Sequence, residues 1–129
     1  MSTEDPSGRR LWIGIAGPVL DESARRLLDE IRPGGIVLFA RNFEDRPGLE
    51  LLCRELRSLL GPRLHVAVDQ EGGLVARFGR EFMPWPGSMT LGAASVREPS
   101  IGEHLAGQFG YHAACELGSV GVEDRKSVV

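Results

Sequence analysis

Thiol chemistry is almost missing from this 129-residue chain, which has two cysteines, Cys53 and Cys115. They stand far apart in stretches of helical periodicity, a spacing that makes neither a disulfide framework nor a metal site, so both are expected to be plain packing residues. Long hydrophobic runs are absent too. No stretch approaches the roughly 20 apolar residues of a membrane helix, and the polar start Met1-Ser2-Thr3-Glu4-Asp5-Pro6 has no signal-peptide core. The sequence therefore points to the cytoplasm and to no membrane partner. An excess of basic charge is also lacking: 15 Lys and Arg are scattered among 18 Asp and Glu, for a net charge of -3. Such a chain sets up no field for a phosphate backbone, and no nucleic-acid partner is expected.

What is present is 42% hydrophobic residues, enough for one modest core. Residues 1–9 are polar and read as a tail. Leu11 to Gly17 is a short apolar run ended by Gly17-Pro18, as for a strand buried on both faces. From Asp21, a good N-cap, Ala24, Leu27, Leu28 and Ile31 recur at helical spacing until Pro33-Gly34. Gly35 to Phe39 is a second strand, followed by a polar loop holding Arg41 and Asn42. Pro47 opens a second helix with the stripe Leu49, Leu52, Leu56 and Leu59, and Gly61-Pro62 ends it.

The third strand, Leu64 to Val68, stops at Asp69-Gln70-Glu71-Gly72-Gly73. A long loop is expected from Phe78 to about Arg97, and Pro99 opens a third helix with Ile101, Leu105, Phe109 and His112 near one face. Val120-Gly121-Val122 looks like the start of a fourth strand. Strand and helix thus alternate three times. This argues for an α/β fold with parallel strands, either a doubly wound sheet or part of an eight-stranded barrel.

Ligands of such folds bind beyond the carboxyl ends of the strands, which is where Asp69 falls. Four readings of Asp69 to Gly73 compete. A metal site would use Asp69 and Glu71, but no nearby His completes it. A phosphate cradle would use Gly72 and Gly73, but the Lys and spacing of a P-loop are missing. In polyol recognition, Asp69 accepts hydrogen bonds from sugar hydroxyls while an Arg supplies donors. Finally, the two carboxylates would only satisfy loop amides and Arg77. His65 lies within a strand and His104 and His112 on a helix, so all three read as structural or surface residues. Trp85, between Pro84 and Pro86, is expected to pin its loop rather than stack on a ligand, and Trp12 to lie in the core.

The segments Gly34-Gly35-Ile36-Val37-Leu38-Phe39-Ala40-Arg41-Asn42 and Val66-Ala67-Val68-Asp69-Gln70-Glu71-Gly72-Gly73-Leu74-Val75-Ala76-Arg77-Phe78, with the Pro84 to Gly92 loop, closely resemble the N-terminal domain of glycoside hydrolase family 3. The likeness is greatest to its bacterial β-N-acetylglucosaminidase (β-N-acetylhexosaminidase) branch. It runs from about Gly14 to Val122, and it selects the barrel: the chain would be the N-terminal three βα units of a truncated TIM-type (β/α)8 barrel, spanning 10–123. The resemblance implies that Asp69 binds hydroxyls of the sugar being cleaved and that Arg77 also contacts substrate. Glu71, Gly72 and Gly73 would order the loop.

It implies a carbohydrate substrate, a β-linked N-acetylglucosamine typically from cell-wall muropeptides, with no metal or organic cofactor. A β-glucosidase or β-xylosidase of the same family, or a non-catalytic sugar-binding module, is the alternative. Leu74 and Ala76 depart from the family's usual Arg and Gln. The family's nucleophilic Asp and its His-bearing acid/base loop belong to later segments, so none of the histidines here is expected to act as acid/base. The chain is therefore expected to be a fragment, inactive alone. One frame of a common sequencing adapter encodes Asp-Arg-Lys-Ser-Val-Val, so residues 124–129 are expected to be a non-native tail.

Overall fold

The computed structural model describes residues 7–126. The first three parallel strands are β1 (Trp12–Ile13), β2 (Gly35–Leu38) and β3 (His65–Gly72), in register Trp12↔Gly35↔His65 and Ile13↔Ile36↔Val66. Helix α1 (Glu22–Ile31) joins the first two, and α2 (Arg46–Leu60) joins the second to the third. This is a mixed α/β fold matching the expected strand–helix alternation.

Both connecting helices start at carboxylates. Asp21 accepts the Ala24 amide and the Ser23 hydroxyl, and the amide above all holds its carboxyl below the usual carboxylate range. Asp45 accepts the Gly48 amide at 2.7 Å, with Pro47 in the first turn where its missing N–H is harmless. Because strand side chains alternate, Ile36, Leu38, Val66 and Val68 share one sheet face. That face packs on Leu28, Leu49, Leu52, Cys53 and Leu56, all essentially buried, and forms the core.

The opposite sheet face carries Gly35, His65, Ala67 and Asp69. Here Trp12 departs from expectation, since it is 40% exposed. Its indole crosses Gly35, which has no side chain to obstruct it, and stacks on His65 with ring centroids 5.8 Å apart. Burial on both faces of β1 was expected, but one of them is open.

Other expectations fail for local reasons. The first strand is two residues long rather than seven, because the chain turns at the Gly17-Pro18 bend to reach the Asp21 cap. Residues 7–9 are not all tail: Gly8–Arg10 forms a 3-10 turn, and Gly8 is buried against the Ile31 carbonyl. Residues 1–6 lie outside the described residues.

β3 continues to Gly72, four residues beyond its apolar run, and folds back as a short antiparallel strand β4 (Val75–Ala76), with a bulge between Gln70 and Gly72. The stretch expected to be an irregular loop holds helix α3 (Ser88–Arg97), followed at once by α4 (Pro99–Ser119). The buried positions of α4 are Gly102, Phe109, Ala113 and Leu117, while Ile101 and Leu105 are exposed, so of the expected stripe Phe109 faces inward and those two do not. Cys115, on the same helix, is exposed and is not a packing residue.

Val120 to Val122 close the helix rather than begin a strand, the Val122 amide donating to the Leu117 carbonyl at 2.9 Å. Strand β5 starts at Asp124 and pairs parallel with β3, Ala67↔Asp124 to Asp69↔Lys126. Three of the six residues expected to be non-native thus supply a strand backbone; 127–129 lie outside the described residues.

Candidate substrate-binding site at the strand tips

The carboxyl ends of β1 and β2 converge on one buried amide. Asn42, 1% exposed, follows β2 in a 3-10 turn (Ala40–Asn42). Its Oδ1 accepts the Phe39 amide at 2.8 Å, and its Nδ2 donates to the carbonyls of Ile15 at 3.1 Å and Gly17 at 2.8 Å. One side chain therefore ties the chain after β1 to the tip of β2. Arg41 supports it, its Nε donating to the Ile15 carbonyl at 2.9 Å and its guanidinium lying over the Phe39 ring at 4.6 Å.

Asp69 stands next along the same edge, and Arg77 returns to it from the end of the β3–β4 hairpin. The Asp69 Oδ2 to Arg77 Nη2 distance is 3.7 Å, an ion pair beyond hydrogen-bond length, with side chains 29% and 36% exposed. Gln70 is buried on the opposite face of β3, and its Oε1 accepts the Arg77 backbone amide at 2.7 Å, which fixes where the arginine leaves the hairpin. Arg77 Nε is buried without a hydrogen-bond partner among the described residues. A partly exposed carboxylate beside a partly exposed guanidinium suits a neutral ligand rich in hydroxyls.

Glu71 lies half-buried in the bulge. Gly72 and Gly73 form the hairpin turn at φ +86° and +58°, a region L side chains rarely occupy. A Cβ on Gly72 would stand 2.5 Å from the Pro86 carbonyl oxygen, and the Gly73 amide donates to the Trp85 carbonyl at 2.8 Å. The turn is thus backed by the Trp85–Gly87 segment. Trp85 itself packs not between its flanking prolines but on α4, against Phe109 at 5.2 Å and His112 at 5.8 Å. Leu74, at the hairpin tip, is fully exposed.

His65 and His104 stand away from this edge, and His112 meets Gln108 and Trp85 on α4. The structure brings together Asp69, Arg77, Glu71, Gly72 and Gly73, and adds two residues that sequence reasoning left without a role, Asn42 and Gln70. Asn42 stands in the turn after β2 and Gln70 within β3 next to Asp69, and both are buried amides, the kind of polar side chain that signals a network. A cavity of about 360 Å³ lies at the amino ends of the strands between Trp12, His65 and Arg63, not beside Asp69.

Residues 13–125 match the model of the glycosyl hydrolase family 3 N-terminal domain. The chain belongs to glycosyl hydrolase family 3. Among its relatives is a protein of Nitrosomonas eutropha named beta-hexosaminidase, 43% identical over 113 residues, which cover 88% of this chain and 32% of that protein. The solved structure of native NagZ from Neisseria gonorrhoeae superposes with a TM-score of 0.84 at 38% identity, over 92% of this chain and 35% of that one. A family 3 β-N-acetylglucosaminidase from Paenibacillus gives 0.80 at 29% identity, over 95% and 23%. The chain spans about one third of the length of the curated relatives it matches. Its fold corresponds to the N-terminal part of the TIM-barrel-like domain of these enzymes, which selects the barrel over the doubly wound sheet.

Proposed function

We propose that this chain is the N-terminal part of a retaining glycosidase that removes β-linked N-acetylglucosamine from the non-reducing end of cell-wall muropeptides or related amino sugars. The observation that carries this reading is the Asp69–Arg77 pair at the tip of β3, in a family 3 chain about 40% identical to proteins named beta-hexosaminidase. In keeping with it, one matching structure is NagZ from Neisseria gonorrhoeae in complex with N-trifluoroacetyl-D-glucosamine. Asp69 accepts the hydroxyls of the terminal sugar, and Arg77 adds a charge-assisted donor. Glu71 and the glycine pair order the turn that holds both.

Retention of configuration needs two groups flanking the scissile bond, a nucleophile and an acid/base. In this reading both come from later segments, so residues 1–129 alone bind weakly and turn nothing over. The open sheet face with Trp12 and His65 is then a surface the remaining strands cover. In this reading the enzyme acts in the cytoplasm, in peptidoglycan recycling.

The test is to express the full-length protein and assay aryl β-N-acetylglucosaminide beside aryl β-glucoside and β-xyloside. Preferential turnover of the first is expected. Preference for either of the others transfers the chain to the glucosidase or xylosidase alternative, and turnover of none makes it a binding module.

A further inference from the structure

The hairpin that carries Asp69 and Arg77 is braced from a distance. Arg46, the first residue of α2, makes contacts on three sides. Its backbone amide donates to Glu81 Oε2 at 2.8 Å and its Nη1 to the Glu81 carbonyl at 3.3 Å, while the guanidinium lies 4.7 Å from the centre of the Phe82 ring. Its Nη2 donates to Ser119 Oγ at 2.9 Å, and its Nη1 stands 3.8 Å from Glu116 Oε1 on α4. Glu116 in turn accepts the Met83 backbone amide with both carboxylate oxygens, at 3.0 and 3.1 Å. The Glu81–Met83 segment is therefore held between the start of α2 and the end of α4.

That segment leads directly to the turn. The Trp85 amide donates to the Met83 carbonyl at 3.0 Å, and the Trp85 carbonyl accepts the Gly73 amide at 2.8 Å. Gly73 lies between Gln70 and Arg77, which are themselves joined by the 2.7 Å bond from the Arg77 amide. From Arg46 to Gly73 the links are hydrogen bonds and an ion pair, and from Gly73 the covalent hairpin backbone carries the connection to the Asp69–Arg77 pair.

We infer that Arg46 and Glu116 form a clamp that positions the Asp69–Arg77 hairpin for substrate. This inference rests on the proposed function, but its mechanical half does not. Arg46 and Glu116 are positioning residues: they touch the loop behind the turn, not the sugar. With the clamp opened, Asp69 and Arg77 keep their chemistry but lose their fixed separation, so substrate affinity falls more than the rate of the bound complex.

The experiment compares the full-length protein with Arg46→Met, Arg46→Lys, Glu116→Gln and the Arg46→Met/Glu116→Gln double variant, all well below their melting temperatures. Hydrogen exchange of the peptide covering residues 70–87 reads the clamp without reference to activity. Steady-state kinetics on an aryl N-acetylglucosaminide read its consequence. Arg46→Met and Glu116→Gln are each expected to speed exchange at Gly73 and to raise KM by roughly 3- to 10-fold with kcat changed less than about 2-fold. Arg46→Lys recovers part of the loss, and the double variant is less than the product of the singles because the two residues act on one segment.

Unchanged exchange in Glu116→Gln, which leaves volume and fold intact, overturns the clamp. Faster exchange with unchanged KM overturns its role in substrate positioning. A full-length protein that turns over no glycoside defeats the proposed function, and the exchange result alone then decides whether the clamp exists.

Discussion

The half of the chain built from β1 to β3 with α1 and α2, and the half built from α3 and α4, solve the burial problem differently. In the first, both helices begin at carboxylate caps, and Leu28, Leu49, Leu52 and Leu56 lie at 0–1% exposure against Ile36, Leu38, Val66 and Val68. In the second, neither helix has a side-chain cap, α3 buries none of its residues, and Met89, Val96 and Ile101 are more than half exposed. The α3–α4 pair is joined to the rest through Leu117 in the core, Phe109 against Trp85, and the Arg46–Glu116 clamp. A helix pair with a short buried stripe and a clamp is an element whose stability comes from its neighbours rather than from its own periodicity.

Core truncation separates the two halves most strongly. Leu56→Ala in α2 should cost about 2–5 kcal/mol, because the side chain is fully buried and its cavity cannot collapse, whereas Ile101→Ala in α4 should change stability by less than about 0.5 kcal/mol. Denaturant midpoints of the full-length variants measure both. Equal losses would mean that α4 packs as tightly as α2 and would break the contrast.

The cysteines give a second, smaller contrast. Burial in the first half pushes the Cys53 thiol up to about 11, while Cys115 is exposed on α4. Between the thiol's ordinary value of 9.0 and about 11 the unfolded thiol ionises while the folded one stays protonated, so stability should be intact below pH 9 and fall as pH rises toward 11, by up to about 2–3 kcal/mol. In the same terms, an alkylating reagent at pH 8 should label Cys115 quickly and Cys53 only on unfolding. A pH-independent melting temperature from 9 to 11, with Cys53→Ala no different, would contradict the burial of the thiol.

Capping gives the smallest effect. Asp45→Ala removes the acceptor of the Gly48 amide and should cost about 1 kcal/mol, while Glu98→Ala, at the uncapped start of α4, should lie within about 0.5 kcal/mol of wild type. Melting curves of the two variants sharpen the comparison if they differ and weaken it if they do not.

The same division explains what could be read from the amino acids. Where one face is buried and caps are carboxylates, the periodicity of Leu49, Leu52 and Leu56 and the position of Asp21 led directly to α1 and α2. Helix α3 was hidden because Ser88 to Arg97 follows two prolines and has no apolar stripe to mark it, and the face of α4 was misread because small residues, Gly102 and Ala113, do its packing. At the site, Asp69, Arg77 and the glycine pair were visible as a motif. Asn42, Gln70 and the Arg46–Glu116 clamp were not, since most of their partners lie 25 or more residues away in sequence or, for Gln70, across a hairpin whose second strand has two residues.

The central claim is that Asp69 holds the sugar, and Asp69→Asn in the full-length protein tests it most directly. A charge-assisted hydrogen bond from a hydroxyl contributes roughly 1.5–3 kcal/mol, and contacts that tighten as the ring distorts act on the transition state. Steady-state kinetics on an aryl N-acetylglucosaminide should therefore show kcat/KM lowered by on the order of 10- to 150-fold, with the melting temperature retained. Wild-type kcat/KM in that variant would contradict the account and leave Asp69 as no more than the ion-pair partner of Arg77.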